Sequence, residues 1–380
     1  MREIEDFALE RWFARWEFAV KHVLGASDVE GYALKDLLAL ADDESRELWD
    51  RLTLGYTESL GHPLMRAEIA SLYDTAAPDD VLTFVGAEEG IFLAMHALLA
   101  PGDHAIVVWP SYQSLHEVAR SIGAEVTLLH LSPDDWTLDP EAIRRALRPR
   151  TRVIVINVPH NPTGAMIDRA ALDRIVEIAD GHGAVLFSDE VYRFLEVDER
   201  DRLPAAVDLS PRSISLGVLS KSFALAGLRV GWIATRDRSV LDRVARLKDY
   251  TTICGSAPSE VLALMALRAK DRVLARSREI VAGNLPVLDA FFARTPRLFR
   301  WVRPRGGSTA YPELLAGDVT RFADALVERE GVLVVPASRF GDTSNHFRIG
   351  LGRRDLPAAL EKLERFATGD WLKGQGPARH

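Results

Sequence analysis

Short, almost unbroken apolar runs at 81–85, 105–109, 153–158, 184–188 and 214–219 constrain this chain more than any other feature. A strand with one face in water alternates apolar and polar residues, whereas a strand covered on both faces does not. Between the runs lie helical stretches at 90–99, 112–122, 140–147 and 169–182. Strand and helix in alternation imply an α/β fold, a parallel sheet whose connections cross over as helices.

The pattern changes near residue 285. After a long helical stretch, 259–292, come apolar runs at 299–302, 310–312, 332–335 and 346–351, with a helix at 319–330. This reads as a smaller α+β domain. The first 45 residues look helical and carry no strand run of their own. Trp12, Trp16 and Val20 recur at helical spacing, which marks a packing face toward the small domain or a partner subunit. At 380 residues the chain exceeds what one core usually organises. The expected division is an N-terminal arm or small-domain segment (1–45), a large domain (46–284) and a C-terminal small domain (285–380). The tail at 374–380 reads as frayed.

A formal net charge of -8 with no basic cluster argues against nucleic acid as a partner. One cysteine, Cys254, excludes an internal disulfide and a cysteine-rich metal site, and fits a reducing, cytoplasmic setting. The 10 histidines lack ligand spacing, so no metal site is expected. The N-terminus is acidic rather than leader-like, and no stretch approaches the roughly 20 apolar residues that span a bilayer.

Ser220-Lys221-Ser222 follows the last apolar run and precedes Ala226-Gly227-Leu228-Arg229-Val230-Gly231-Trp232. The carboxyl end of a strand is where α/β sheets bind ligands. Partial burial disfavours an ammonium ion, and a neutral amine condenses with an aldehyde. The small-residue turn at Ala226-Gly227 lets the chain return Arg229 to the same pocket. Other strand ends carry Val85-Gly86-Ala87-Glu88-Glu89-Gly90, Trp109-Pro110-Ser111-Tyr112, His160-Asn161-Pro162-Thr163-Gly164 and Ser188-Asp189-Glu190-Val191-Tyr192. Free amides at Gly86, Ala87 and Glu88, opening a helix, suit a phosphate. Taken singly, Asn-Pro-Thr-Gly is also an ordinary turn and Asp189 also a helix cap. The alternative for Tyr112 is packing, and for Arg348, in His346-Phe347-Arg348-Ile349-Gly350, a surface strand arginine.

Ser-Lys-Ser-x-x-x-x-Gly-x-Arg-x-Gly-Trp resembles the cofactor-lysine signature of the class I and II aminotransferases, and the resemblance covers nearly the whole chain. It implies the fold type I architecture: a large domain with a mostly parallel seven-stranded sheet, and a small domain formed by the chain termini. It implies pyridoxal 5'-phosphate, held by Lys221 as a Schiff base, with the same lysine moving the substrate Cα proton. The amides of Gly86, Ala87 and Glu88, with Ser220 and Arg229, would hold the phosphate. That loop is most similar to the one in histidinol-phosphate aminotransferases. Asn161 and Tyr192 would bond the phenolic oxygen, Asp189 the pyridine nitrogen, and Tyr112 would stack on the ring. Tyr56, in Leu54-Gly55-Tyr56-Thr57-Glu58, would reach the neighbouring subunit's phosphate, which implies a homodimer with shared sites. Arg348 would hold the substrate carboxylate. Many relatives carry a hydroxyl where this chain has Val218, so one phosphate contact is expected to be missing.

The implied reaction moves an amino group between an L-amino acid and a 2-oxo acid. Leu9-Glu10-x-Trp12, Asp28-Val29-Glu30-Gly31-Tyr32 and Arg303-Pro304-Arg305-Gly306-Gly307-Ser308 are similar to capreomycidine synthase-like members. They open a second reading, cyclisation, elimination or oxidation of an arginine derivative on the same cofactor. The retained Tyr192 favours transamination. A cofactor-sensing regulatory domain is disfavoured, because no helix-turn-helix pattern precedes Tyr56. The roles of Glu30, His160 and Arg305 stay open between pocket and solvent.

Overall fold

The computed structural model describes residues 3–372, so the tail at 374–380 lies outside the described residues. Its centre is a seven-stranded sheet: β1 (Val81–Phe84), β2 (His104–Trp109), β3 (Glu125–His130), β4 (Thr151–Asn157), β5 (Val185–Asp189), β6 (Ile214–Val218) and β7 (Gly231–Ala234). The spatial order is β1-β7-β6-β5-β4-β2-β3, and β7 runs antiparallel to both of its neighbours. The unbroken apolar runs have the expected cause. In β2, Ala105 and Val107 pack with the helices Ala87–Leu98, Ser114–Ile122 and Arg238–Lys248, while Ile106 and Val108 join the opposite cluster with helix Arg169–His182. Two strands had no run to announce them. Edge strand β3 is only half covered, and β7 is four residues long inside the lysine motif.

Because β1, β2, β4, β5 and β6 are parallel, their carboxyl ends share one rim of the sheet. β7 points the other way, so its beginning meets that rim and delivers Arg229.

Three expectations need correction. The helical stretch 259–292 is two helices, Ala257–Arg268 and Lys270–Arg294, parted at Ala269. Arg268, at the break, pairs with Asp42, Glu44 and Glu68. The strand expected at 332–335 contracts to Val335–Pro336, because Val332 and Leu333 pair with the arm instead. The arm itself is helical at Ala8–Trp16 and Leu34–Leu38, and irregular between them, with turns at 17–19 and 24–25. That part lies between the stretches 331–333 and 350–352 of the C-terminal region. Gly25 N–H donates to Leu333 O (2.6 Å), Gly350 N–H to Leu24 O (2.6 Å) and Glu30 N–H to Gly352 O (2.8 Å). The approach is close enough to demand glycine: a Cβ on Gly350 would collide with the Ala26 carbonyl, and one on Gly352 with that of Asp28.

Trp12 does pack on the C-terminal region, donating its indole N–H to Val334 O (3.0 Å) under the guanidinium of Arg339. The expected domain boundaries at 45 and 284 both fall inside helices, Asp43–Asp50 and Lys270–Arg294. We propose that the division is a change of packing partner along continuous helices rather than a linker. Among the described residues no helix is long and apolar enough to cross a membrane.

Candidate active site

A cavity of about 540 Å³ opens at the carboxyl rim of the sheet, a size suited to a small ligand. Its wall includes Ala87, Glu88, Tyr112, Asn161, Asp189, Tyr192, Ser220, Lys221 and Arg229. Each comes from a strand end, so the sheet converts residues far apart in sequence into neighbours. Lys221 is partly buried just beyond β6. Its Nζ donates to Ser27 Oγ (2.9 Å) and stands 5.9 Å from the centre of the Tyr192 ring.

Asp189 is the last residue of β5 and is 5% exposed. One carboxylate oxygen accepts the Val191 N–H (3.2 Å), and no ion pair neutralises it among the described residues. Burial therefore pushes its pKa up to about 7, against the smaller opposing pull of the Val191 amide and Lys221. Asn157, which sequence reasoning passed over, fixes this corner. Its Nδ2 donates to Asp189 O (2.9 Å) and its Oδ1 accepts from Asn161 N–H (2.7 Å).

The loop after β1 is built around close backbone approach. Gly86 has φ +88°, and a Cβ there would strike the Arg229 guanidinium. A Cβ on Gly231 would lie 2.7 Å from Ala87 N. The two glycines leave amides of the helix start and the exposed guanidinium side by side, with no capping side chain at Gly86. Arg229 itself sits in the left-handed region, φ +52° and ψ +50°, a conformation costly for a residue with a Cβ. These features fit pyridoxal phosphate: an anion cradle, a buried carboxylate awaiting a cation, and an amine between them. Val218 lines the same wall and offers no hydroxyl.

Glu88 accepts from Ser114 Oγ (3.1 Å). Its pKa is pushed up to about 7, first by burial and then by Glu10 and Asp189, against Ser114 and Arg229. Tyr112 donates its hydroxyl to Glu10 (2.9 Å) with the Phe7 ring 5.0 Å away. Burial, then the charges of Glu88 and Glu10, hold its hydroxyl well above the usual tyrosine range.

Three predicted residues stand outside this wall: Gly86, whose backbone lies beside the Arg229 guanidinium, Tyr56 and Arg348. Tyr56 is 92% exposed and borders a separate depression with Thr57, His62 and Glu260. Arg348 is 1% exposed, behind Asn161, and donates to Asn161 Oδ1 (3.1 Å) and Gly25 O (3.0 Å). It faces no carboxylate within ion-pair distance among the described residues. Of the three residues left open, Arg305 pairs with Asp201 and Glu30 lies near Arg276 and Arg354. His160 is buried against Thr163 Oγ1 (2.9 Å), its pKa pushed down to about 3 by burial. None of the three lines the cavity.

Sequence reasoning missed the arm. Phe7, Glu10, Phe13 and Glu17, along one side of the N-terminal helical segment, and Ala26, Ser27 and Asp28 beyond it, close the cavity opposite the sheet. A helical spacing of 7, 10, 13 and 17 was the available signal.

A family model described as aminotransferase class I and II matches residues 21–363. Capreomycidine synthase of Streptomyces vinaceus is 34% identical over 372 residues, spanning 95% of this chain and 94% of that relative. A PLP-dependent aminotransferase from Streptococcus suis 89-1591 superposes with a TM-score of 0.90 at 30% identity, covering 99% of this chain and 100% of that one. The PLP-dependent cyclase OrfR superposes with a TM-score of 0.88 at 30% identity, covering 97% and 99%. Geometry, family model and full-length relatives agree, and the chain belongs to the class I and II aminotransferases.

Proposed function

We propose that Lys221 is the cofactor-binding and proton-moving residue of this PLP-dependent aminotransferase, which passes an amino group between an L-amino acid and a 2-oxo acid. The single observation that carries the assignment is the meeting of Lys221, Asp189, Asn161 and Arg229 in one cavity from separate strand ends. When bound, pyridoxal phosphate supplies a carbonyl for amine exchange and a sink for the electron pair left at Cα. The other roles belong to the chain. Asp189 would hold a proton at the ring nitrogen, and Asn161 and Tyr192 would donate to the phenolic oxygen. The amides at Gly86, Ala87 and Glu88, with Ser220 and Arg229, would hold the phosphate. Tyr112 would cover the ring face. Arg348, its pKa lowered by burial and facing no carboxylate within ion-pair distance among the described residues, would take the substrate α-carboxylate beside Asn161. Lys221 would then lift the Cα proton as general base and return it as general acid.

Borohydride reduction followed by peptide mapping tests this. The expected result is one reduced cofactor on the Lys221 peptide, and none in Lys221→Ala; a label on another lysine would falsify the assignment. An amino-donor screen, read as 2-oxo acid release, separates transamination from the second reading, cyclisation. That reading is favoured by the likeness to capreomycidine synthase and the cyclase OrfR.

A homodimer with shared sites is supported by apolar side chains left in water: Leu54 at 88%, Tyr56 at 92% and Tyr250 at 90% exposure. Sedimentation of the holoenzyme at a single-chain mass would count against it. The lone Cys254 supports a cytoplasmic location, checked by fractionation of the source cells.

A further inference from the structure

The geometry points to Ser27 as a positioning residue, which holds the Lys221 amine through its hydroxyl while that amine moves the substrate proton. The role rests on the assignment of Lys221 made above. Ser27 comes from the arm, on the opposite side of the cavity from β6. Its Oγ is the hydrogen-bond partner of Lys221 Nζ among the described residues, at 2.9 Å. The Tyr192 ring presents its π face to the amine from 5.9 Å, and the carboxylates of Asp189 and Glu17 feel its charge without accepting a hydrogen bond from it.

The chemical type matters. A carboxylate at this place would hold the lysine as an ammonium and disable it as a base. A hydroxyl accepts from the ammonium and tolerates the neutral amine equally, because it carries both a donor and acceptor lone pairs. The adjacent carboxylate, Asp28, is held away from this task by Arg353, whose Nη2 reaches both of its oxygens (2.9 and 3.1 Å). Ser27 is also fixed from behind. Its carbonyl accepts from Ser308 Oγ (2.6 Å), a side chain with no exposure. Two residues earlier on the same segment, Gly25 O accepts from Arg348 Nε (3.0 Å). One short stretch of backbone therefore spaces the carboxylate anchor from the partner of the proton-moving amine.

The proton balance is simple. Neutral Lys221 takes the proton from the substrate Cα, and the C–H electron pair stays with the carbon framework. The new ammonium donates one N–H to Ser27 Oγ until the proton is given up at the acceptor carbon, which leaves the amine neutral again. Ser27 gains and loses no proton.

The test compares wild type, Ser27→Ala and Ser27→Thr as holoenzymes, with an amino donor that the wild type accepts. In Ser27→Ala, kcat should fall roughly tenfold or more with KM changed less than about twofold, since the hydroxyl serves the proton transfer. The kinetic isotope effect with α-deuterated donor should rise, and Ser27→Thr should restore both. A second readout needs no turnover. In the pyridoxamine-phosphate form, where Lys221 is free, the rate of its labelling by an amine-directed reagent should change severalfold in Ser27→Ala relative to other lysines. An unchanged kcat, isotope effect and labelling rate, with the borohydride label still on Lys221, overturns the role of Ser27 alone. A borohydride label on a different lysine overturns the role and the reading beneath it together.

Discussion

Asp189→Asn should reorder stability in opposite senses with and without cofactor. In the folded chain Asp189 keeps its proton up to about pH 7, against 3.8 for an ordinary aspartate. Across that interval the folded state binds more protons than the unfolded one, so its stability falls as pH rises. The interval is about three pH units, and at about 1.4 kcal/mol per unit the loss approaches 4 kcal/mol. Asparagine keeps the shape and can still accept the Val191 N–H, but it carries no charge. It brings instead a buried amide donor without a partner, which costs about 1–3 kcal/mol at every pH. The cofactor-free variant should therefore be the less stable protein near pH 4.5 and the more stable one near pH 8. Cofactor binding supplies a cation at the carboxylate, so the order at pH 8 should reverse once pyridoxal phosphate is added. Urea unfolding midpoints at pH 4.5, 6, 7 and 8, for both proteins with and without cofactor, measure this. A stability difference between the two cofactor-free proteins that does not change with pH would refute the reasoning.

Two further outcomes follow from the same geometry. Arg348→Lys should raise KM for every α-amino acid donor by roughly 10- to 100-fold, because a point charge replaces a two-pronged donor. The visible spectrum of the bound cofactor should not change, and an unchanged KM in steady-state assays would remove Arg348 from carboxylate binding. Gly350→Ala should cost about 3 kcal/mol or more, since its Cβ would displace the Ala26 carbonyl. The urea midpoint reads this, and a midpoint equal to wild type would mean that the arm does not rest against that strand.

The sheet was legible because burial on both faces leaves a direct trace in composition, as the runs around Ile106 and Ile154 show. The rim was legible because Asn161, Asp189 and Lys221 follow those runs within a few residues, so a strand end locates each. β7 was hidden because it begins inside the lysine motif, and β3 because its edge position leaves it only partly covered along its length. The arm was illegible for a different reason. Locally residues 22–30 hold only a turn closed by Ala26 N–H to Val23 O (3.2 Å); their course is set by hydrogen bonds to Leu333, Gly350 and Gly352, more than 300 positions away. Ser27 consequently looked like any loop serine. The short strand at Val335–Pro336 failed the same way, since Leu333 spends its backbone groups on the arm rather than on its own sheet. Asn157 was missed because its work, tying β4 to β5, is visible only once the strands are adjacent.

The close passage of residues 24–28 beside Gly350 and Gly352 also bears on how the protein is made. Ser27 is synthesised long before Lys221. Its resting place does not exist until residue 352 has been synthesised. Until then the wall opposite Lys221 stays open, and the face of the sheet that packs on the C-terminal region lacks part of its core. Activity should therefore appear late and all at once, as the last strand arrives.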